Sequence, residues 1–274
     1  MNQTRLYHYS FYYVTETARG KDRDMVCIVR MQEKPKLVNP VLIEGLPGIG
    51  FVANIAALHL ISELKAKRFA QILSSSFQDL AVTSEDGNAR FPTSELYYCK
   101  NADGKRDLII WYGNTQALTT FGQYELCGKV LDVAKELGCS YLITLGGYRQ
   151  EEIKPPPKIY WATTDPETVK DVSALEAKVM VGQIFGVAGL LVGLGALKGF
   201  KGFSLLVETP GAYPDAEAAR VALSSLDKFL NLNVDLSRLE QAREKTTKIL
   251  ESFGLVRSVV EEKKKEEPQF RWYV

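Results

Sequence analysis

The chain has 274 residues, of which 46% are hydrophobic and 24% are charged, so it is long and apolar enough to bury a full core. Its 34 lysines and arginines stand against 33 aspartates and glutamates, which leaves a formal net charge of +1. A balance this even creates no field that would attract a nucleic-acid backbone or an anionic membrane, so neither is expected as a partner.

Cysteine and histidine usage argues against a metal centre. The four cysteines show no CxxC spacing, and His8 and His59 are far apart without further ligands at helical spacing. No metal and no cofactor are therefore expected. The N-terminal segment lacks the basic and apolar regions of a signal peptide, and together with the unpatterned cysteines this predicts a cytoplasmic protein.

The predicted elements begin with an N-terminal β-hairpin extension over residues 1–34. Aromatic and β-branched runs at 5–14 and 25–30 flank the polar turn "TARGKDRD", as the strands of a hairpin do. From Pro40 onwards, strands and helices alternate. The first half of this part predicts a strand at 40–45, a helix at 49–64, a strand at 69–77, short strands at 80–84 and 94–99, and a buried strand at 107–113.

The second half continues the alternation with a helix at 120–137, a strand at 140–147, a strand at 202–208 and a helix at 214–230. Residues 148–164 contain three consecutive prolines and are predicted to form a surface excursion. Alternating strands and helices with short links predict one three-layer α/β/α domain with a mainly parallel sheet, spanning residues 35–234.

A C-terminal helical segment is predicted at 235–260. Asp235 is a plausible N-cap, and apolar residues follow at three- and four-residue steps as far as Phe253, so the helix is amphipathic. Its apolar stripe fits either the main domain or a partner subunit. Residues 261–274, "EEKKKEEPQFRWYV", are predicted to be a flexible tail with an apolar tip.

The stretch "EGLPGIG" at 44–50 lies between a strand and a helix, where phosphate-binding loops occur. Its glycines match neither GxGxxG nor GxxxxGK[ST], and Phe51 stands where a P-loop has lysine. We interpret the stretch as a tight turn that lets the helix pack close to the sheet.

Residues 179–197 carry no charge and are long enough to span a bilayer. Their glycines also suit a central helix pressed against a sheet, and a lone membrane span at this position would divide the α/β domain. The central helix is therefore the favoured interpretation.

Three carboxylates are predicted near the carboxyl edge of the sheet, where α/β enzymes bind their ligands: Glu44 and Glu208 at strand ends, and Asp215 at the start of a helix. A pair of them could act as general acid and base. The structural alternative is that Asp215 caps its helix and that Glu208 accepts hydrogen bonds from loop amides.

Four stretches, in this order, resemble the archaeal relatives of the second subunit of the eukaryotic proteasome assembly chaperone: "PVLIEGLPGIGFVAN", "LITLGGY", "GVAGLLVGLGA" and "LLVETPGAYPDAEAA". The resemblance covers roughly residues 35–232. It implies a non-catalytic α/β/α domain that assembles into a homo-oligomer, either a tetramer or a ring.

Trp272, Tyr273 and Val274 match the signature of a hydrophobic residue, tyrosine and any residue that proteasome activators carry at their C-termini. The resemblance implies that this tip docks into pockets between α subunits of the 20S proteasome. The protein would then open the gate or assist α-ring assembly without ATP. The alternative function is a nucleoside-phosphorylase-like or hydrolase-like enzyme that uses the carboxylates at the sheet edge.

Overall fold

The computed structural model describes residues 27–83, 87–100 and 106–252. The strands within these residues are β1 (Cys27–Met31), β2 (Val41–Gly45), β3 (Lys67–Ser74), β4 (Val82–Thr83), β5 (Ala89–Arg90), β6 (Ser94–Cys99), β7 (Leu108–Gly113), β8 (Tyr141–Arg149), β9 (Ile159–Thr163), β10 (Lys178–Val179) and β11 (Lys201–Thr209). The α-helices are α1 (Val52–Glu63), α2 (Thr120–Glu136), α3 (Val169–Val172), α4 (Gly186–Leu197), α5 (Ala216–Leu230) and α6 (Leu239–Ser252).

Nine strands form one mixed sheet in the order β1-β3-β6-β7-β2-β8-β11-β9-β10, and β4 and β5 form a separate two-stranded ribbon. The four central strands β7, β2, β8 and β11 run parallel to one another. On one side β6, β3 and β1 follow as antiparallel neighbours, and on the other side β9 is antiparallel to β11. The predicted parallel sheet is thus its centre, with antiparallel additions towards both edges.

Helices cover both faces of this sheet, which confirms the three-layer α/β/α fold. Strand β2 shows why, because its residues are fully buried and alternate between two cores. Val41 and Ile43 face the core shared with α1, α5 and α6, whereas Leu42 faces the core shared with α2 and α4. A strand that is apolar on both sides requires a helical layer on each.

The chain between the central strands β8 and β11 differs from the sequence-based expectation. Residues 148–164 are not wholly a surface excursion, because Ile159–Thr163 forms β9 against β11 directly after the proline run. The three prolines led to the prediction of an irregular loop. They lie before β9, however, so every residue of the strand keeps its backbone N–H donor. The strand predicted at 25–30 is present as β1, which pairs with β3 at the sheet edge. The other predicted hairpin strand, at 5–14, lies outside the described residues.

The uncharged stretch at 179–197 is also shorter as a helix than expected. Only Gly186–Leu197 is helical, while Lys178–Val179 pairs with β9 and residues 180–185 connect the two elements. Gly186 has a φ of +73°, a conformation that suits glycine and marks the start of the helix. Among the described residues, no helix combines the length and the apolar character that a membrane crossing requires.

Helix α6 packs on α1 and α5, so the apolar stripe predicted from sequence covers the main domain. Leu239 and Leu250 are buried on this face. His59 of α1, itself buried, donates from Nε2 to the carbonyl of Asp235 at 2.8 Å and thereby joins α1 to the segment that leads into α6. His59 thus has a structural partner.

Candidate functional site

The three sequence-predicted carboxylates lie along the carboxyl ends of the central strands, but each has separate partners. Glu44 is near the end of β2, Glu208 is near the end of β11, and Asp215 precedes α5. In the described part of the chain, no hydrogen bond or ion pair joins any two of them. The arrangement therefore differs from a coupled carboxylate pair, which would share a hydrogen bond or a proton.

Asp215 is the N-cap of α5. Its Oδ1 accepts from the backbone N–H of Ala218 at 2.9 Å, and its Oδ2 accepts from the Thr209 hydroxyl at 2.7 Å. The Asp215 N–H in turn donates to the carbonyl of Gly50 at 2.9 Å. One residue therefore caps a helix, holds the end of β11 and fixes the glycine turn, as the structural alternative expected.

Glu208 is buried and holds β9 to β11. Its Oε1 accepts from the Tyr160 hydroxyl at 2.9 Å, and its Oε2 accepts from the Lys158 N–H at 3.1 Å. The half-exposed Lys158 ammonium lies 3.8 Å from Oε1. Because both oxygens already accept hydrogen bonds, Glu208 is a satisfied structural carboxylate in this arrangement.

Glu44 differs from the other two carboxylates. Its Oε1 accepts from the Leu46 N–H at 2.8 Å, whereas its buried Oε2 has no hydrogen-bond partner. Burial disfavours the charged form and raises the pKa of Glu44 from 4.5 to about 8, although the backbone N–H groups of Leu46 and Leu145 act in the opposite direction. The group is therefore a neutral acid at pH 7, whose O–H is available as a donor.

The glycine turn after β2 lets α1 pack close to the sheet, as predicted from the sequence. A Cβ on Gly45 would lie 2.1 Å from Cβ of Ala57 in α1, and a Cβ on Gly50 would lie 2.6 Å from Oγ1 of Thr209. Asn54 secures the turn by donating to the carbonyls of Gly45 at 3.1 Å and Gly113 at 2.8 Å.

A surface that the sequence-based predictions missed lies around the N-terminal ends of α2 and α4. We define the α2–α4 face by six residues: Leu118, Phe121, Tyr124, Ile184, Phe185 and Leu190. Phe121 is 64% exposed and Phe185 is 79% exposed. Five of the six residues line a groove together with Gly186 and Gly189, and Phe121 lies three residues before Tyr124 on α2. None of the six side chains is charged. The i, i+3 spacing of its α2 residues is a sequence signal that could have revealed it.

No group of three or more histidine, cysteine, aspartate or glutamate side chains in residues 27–83, 87–100 and 106–252 could hold a metal ion. Burial raises the pKa of all four cysteine thiols, which disfavours the reactive thiolate form. The predicted docking residues Trp272, Tyr273 and Val274 lie outside the described residues.

Comparison with known proteins gives relatives along most of the chain. Pyrococcus furiosus PbaB, described as an archaeal proteasome activator, is similar with a TM-score of 0.74 and 39% identity over 83% of this chain and 98% of PbaB. P. furiosus PbaA, described as an archaeal homolog of proteasome-assembly chaperone, gives a TM-score of 0.67 and 26% identity over 83% of this chain and all of PbaA.

Comparison of sequences, without structures, also gives relatives along most of the chain. An uncharacterized protein of Methanocaldococcus jannaschii is 33% identical over 214 residues, which cover 77% of this chain and 82% of that relative. The model of the PAC2 family matches residues 42–253. Since that match extends from β2 past the end of α6 and spans well over half of the sequence, the chain belongs to the PAC2 family.

Proposed function

We propose that this protein is an ATP-independent activator of the 20S proteasome, which docks its C-terminal tails into pockets between α subunits and opens the gate. The observation that carries the proposal is the similarity to PbaB over nearly the whole of that activator. The sequence Trp272-Tyr273-Val274, which matches the docking signature, supplies the contact residues.

The tip has chemistry suited to a pocket between subunits. The Val274 carboxylate can pair with a lysine of the pocket, as terminal carboxylates do in other recognition modes. Trp272 offers a large apolar ring, and Tyr273 offers a ring with a hydroxyl that can hydrogen-bond. The polar stretch at 261–269 serves as a tether, which spans roughly 30 Å when extended.

We prefer gate opening over assistance in α-ring assembly because this chain is more similar to the activator PbaB than to the chaperone homolog PbaA. Identity to PbaB is 39%, whereas identity to PbaA is 26%, and the TM-scores follow the same order. Assembly chaperoning is the second candidate, since it uses the same docking tip at an earlier stage.

A homo-oligomer completes the proposal, with a second copy as the occupant of the α2–α4 face. Burying an uncharged apolar face against its own copy removes Phe121 and Phe185 from water without desolvating a charge. One short tail contacts little surface, whereas several tails on one assembly raise avidity by roughly 10²- to 10⁴-fold. A tetramer or a ring provides this multiplicity.

No catalytic role is proposed for the carboxylates at the sheet edge. Asp215 and Glu208 are each engaged by strand, turn or helix atoms. Tight binding or turnover of a nucleoside by the purified protein would instead favour the alternative function, a nucleoside-phosphorylase-like or hydrolase-like enzyme.

Co-sedimentation with an archaeal 20S proteasome tests the docking proposal. Full-length protein should co-sediment, while variants lacking residues 272–274, carrying Tyr273→Ala, or extended by two residues after Val274 should not. The extended variant isolates the terminal carboxylate, because it keeps every side chain. A matched control replaces Lys263, Lys264 and Lys265 with serine, which alters the tether and spares the tip; this control should still bind. Equal sedimentation of all variants would reject tail docking.

A further inference from the structure

A cavity of about 220 Å³ lies near the carboxyl ends of β2, β8 and β11, beneath the start of α4. Its walls are largely apolar and include Leu46, Ile49, Leu145, Val187, Ala188 and Leu206. An engineered apolar cavity of about 150 Å³ holds benzene. The volume here therefore suits one planar ring with small substituents, and it is too small for a nucleotide.

Two polar groups in the cavity wall have unused hydrogen-bonding capacity. Glu44 is only 2% exposed, and its Oε2 has no hydrogen-bond partner. The Leu46 N–H bonds to Oε1, and the Leu145 N–H also lies close enough to the carboxyl group to lower its pKa. The proton of the neutral acid is assigned to Oε2, because this oxygen forms no hydrogen bond of normal geometry. A buried donor without an acceptor is costly, and a ligand that supplies the acceptor removes that cost.

The second group is Arg149, which ends β8, lines the same cavity and is solvent-exposed. No carboxylate within the described residues forms an ion pair with it. A guanidinium can bind a carboxylate through two parallel hydrogen bonds. The cavity thus combines a buried neutral acid, an apolar middle and an exposed cation.

We propose that this cavity binds a small planar carboxylate that carries a hydrogen-bond acceptor at its opposite end. The ligand carboxylate pairs with Arg149, its ring lies against the apolar walls, and its acceptor receives the hydrogen bond from Glu44. This site is independent of tail docking and goes beyond the proposed function.

The groups around Glu44 that carry charge or titrate are few. Cys127 of α2 lies close enough for the two groups to interact electrostatically, but burial raises the pKa of its thiol and it stays neutral. The α4 segment carries no charged residue, and Gln116 of the β7–α2 connection is uncharged and donates to the Pro47 carbonyl. The α1 residue in the wall, Ala53, carries no charge either. On β8, Tyr148 and Arg149 also line the cavity, and among the described residues Arg149 is the one cationic residue in its wall. Loss of the proton from Glu44 removes the hydrogen-bond donor that Glu44 offers to a ligand.

Isonicotinate is the probe, with benzoate and isonicotinamide as matched controls. Benzoate replaces the accepting ring nitrogen by C–H, and isonicotinamide replaces the anion by a neutral amide. Calorimetry and ligand-observed NMR at pH 6.5 should give saturable isonicotinate binding with a Kd on the order of 0.1–1 mM, as expected for a ligand of this size. Each control compound should bind about 10-fold more weakly.

Variants of the protein test the two contacts separately. Arg149→Ala should weaken isonicotinate binding about 10-fold and leave isonicotinamide binding unchanged. Glu44→Gln keeps a donor at every pH, so it should bind isonicotinate equally well at pH 6.5 and pH 9. The wild-type protein should lose about 10-fold in affinity between these pH values, because ionised Glu44 no longer donates.

Absence of saturable isonicotinate binding would overturn the proposal. Equal binding of isonicotinate and benzoate would also overturn it, as would an unchanged affinity in Arg149→Ala or a pH response in Glu44→Gln equal to that of the wild type. Co-sedimentation of the same variants with the 20S proteasome distinguishes this site from the docking proposal, since Arg149→Ala should bind the proteasome normally.

Discussion

The Thr209 hydroxyl donates a hydrogen bond to the Asp215 carboxylate at 2.7 Å, across the turn that joins β11 to α5. The same carboxylate accepts from the first turn of α5. A Cβ on Gly50 would collide with Thr209, so the glycine turn after β2 lies directly against this pair. The glycine turn after β2 and the turn between β11 and α5 are thus parts of one structural junction.

Asp215→Ala should lower the free energy of unfolding by about 1 kcal/mol, because it removes the N-cap of α5. Asp215→Asn, which keeps an acceptor for the Ala218 N–H, should cost only a fraction of that amount. Chemical denaturation of both variants measures the difference. Equal destabilisation by alanine and asparagine would show that capping is not what Asp215 contributes.

Gly45→Ala should destabilise the protein by about 1–3 kcal/mol, because the added methyl group would overlap Ala57 of α1 and force the helix away from the sheet. Gly48→Ala is the matched control from the same turn. Gly48 has extended backbone, and its Cβ would meet no atom within 4 Å. Thermal unfolding should separate the two variants, and equal effects would contradict close packing as the role of Gly45.

The stability of the wild-type protein should depend on the protonation of Glu44. Because its pKa is raised to about 8 in the folded state, the folded protein holds this proton more tightly than the unfolded chain does. Between pH 5 and pH 8 the unfolded carboxyl is ionised while the folded one is not, so stability falls as the pH rises. The loss is complete above pH 8.

Comparison with Glu44→Gln isolates this contribution, since glutamine does not titrate. The stability difference between wild type and variant should change by roughly 4 kcal/mol across this window, at about 1.4 kcal/mol for each unit of pKa shift. Denaturation curves at pH 5, 6, 7, 8 and 9 measure it. A difference that stays constant with pH would mean that Glu44 has an ordinary pKa.

Phe121→Asp and Phe185→Asp should dissociate the proposed homo-oligomer, because each places a charge in the uncharged α2–α4 face. Light scattering coupled to gel filtration measures the mass. Val38→Asp changes another apolar residue, 67% exposed outside this face, and should leave the assembly intact. Dissociation by the control alone, or by none of the three variants, would place the interface elsewhere.

Dissociated variants should also bind the 20S proteasome about 10²-fold more weakly or worse, although their tails are unchanged. Surface plasmon resonance on immobilised 20S particles measures this loss. Equal affinity of the monomer and the oligomer would show that avidity does not contribute to proteasome binding.

The parallel centre of the fold was predictable because its strands are apolar on both sides and are separated by amphipathic or glycine-rich helices. Strand β2 illustrates this, since every one of its residues is buried. Strand β9 was missed because three prolines precede it and drew the prediction towards an irregular loop. The pairing of β1 with β3 was missed because residues 25–30 and their partners are distant in the sequence.

The candidate site was predictable only in part. The capping role of Asp215 was predictable as one of two alternatives, because the residue directly precedes a helix. The cavity beside Glu44 depends on how α4 and β8 approach each other, which no local pattern encodes. The unpaired Oε2 atom likewise depends on three-dimensional packing rather than on residue type.

The most direct test of the central claim is hydrolysis of a fluorogenic peptide by an archaeal 20S proteasome, measured with the full-length protein and with the variant lacking residues 272–274. Gate opening through the tails predicts that the full-length protein accelerates hydrolysis and that the deletion abolishes the acceleration. Equal acceleration by both proteins would contradict the account.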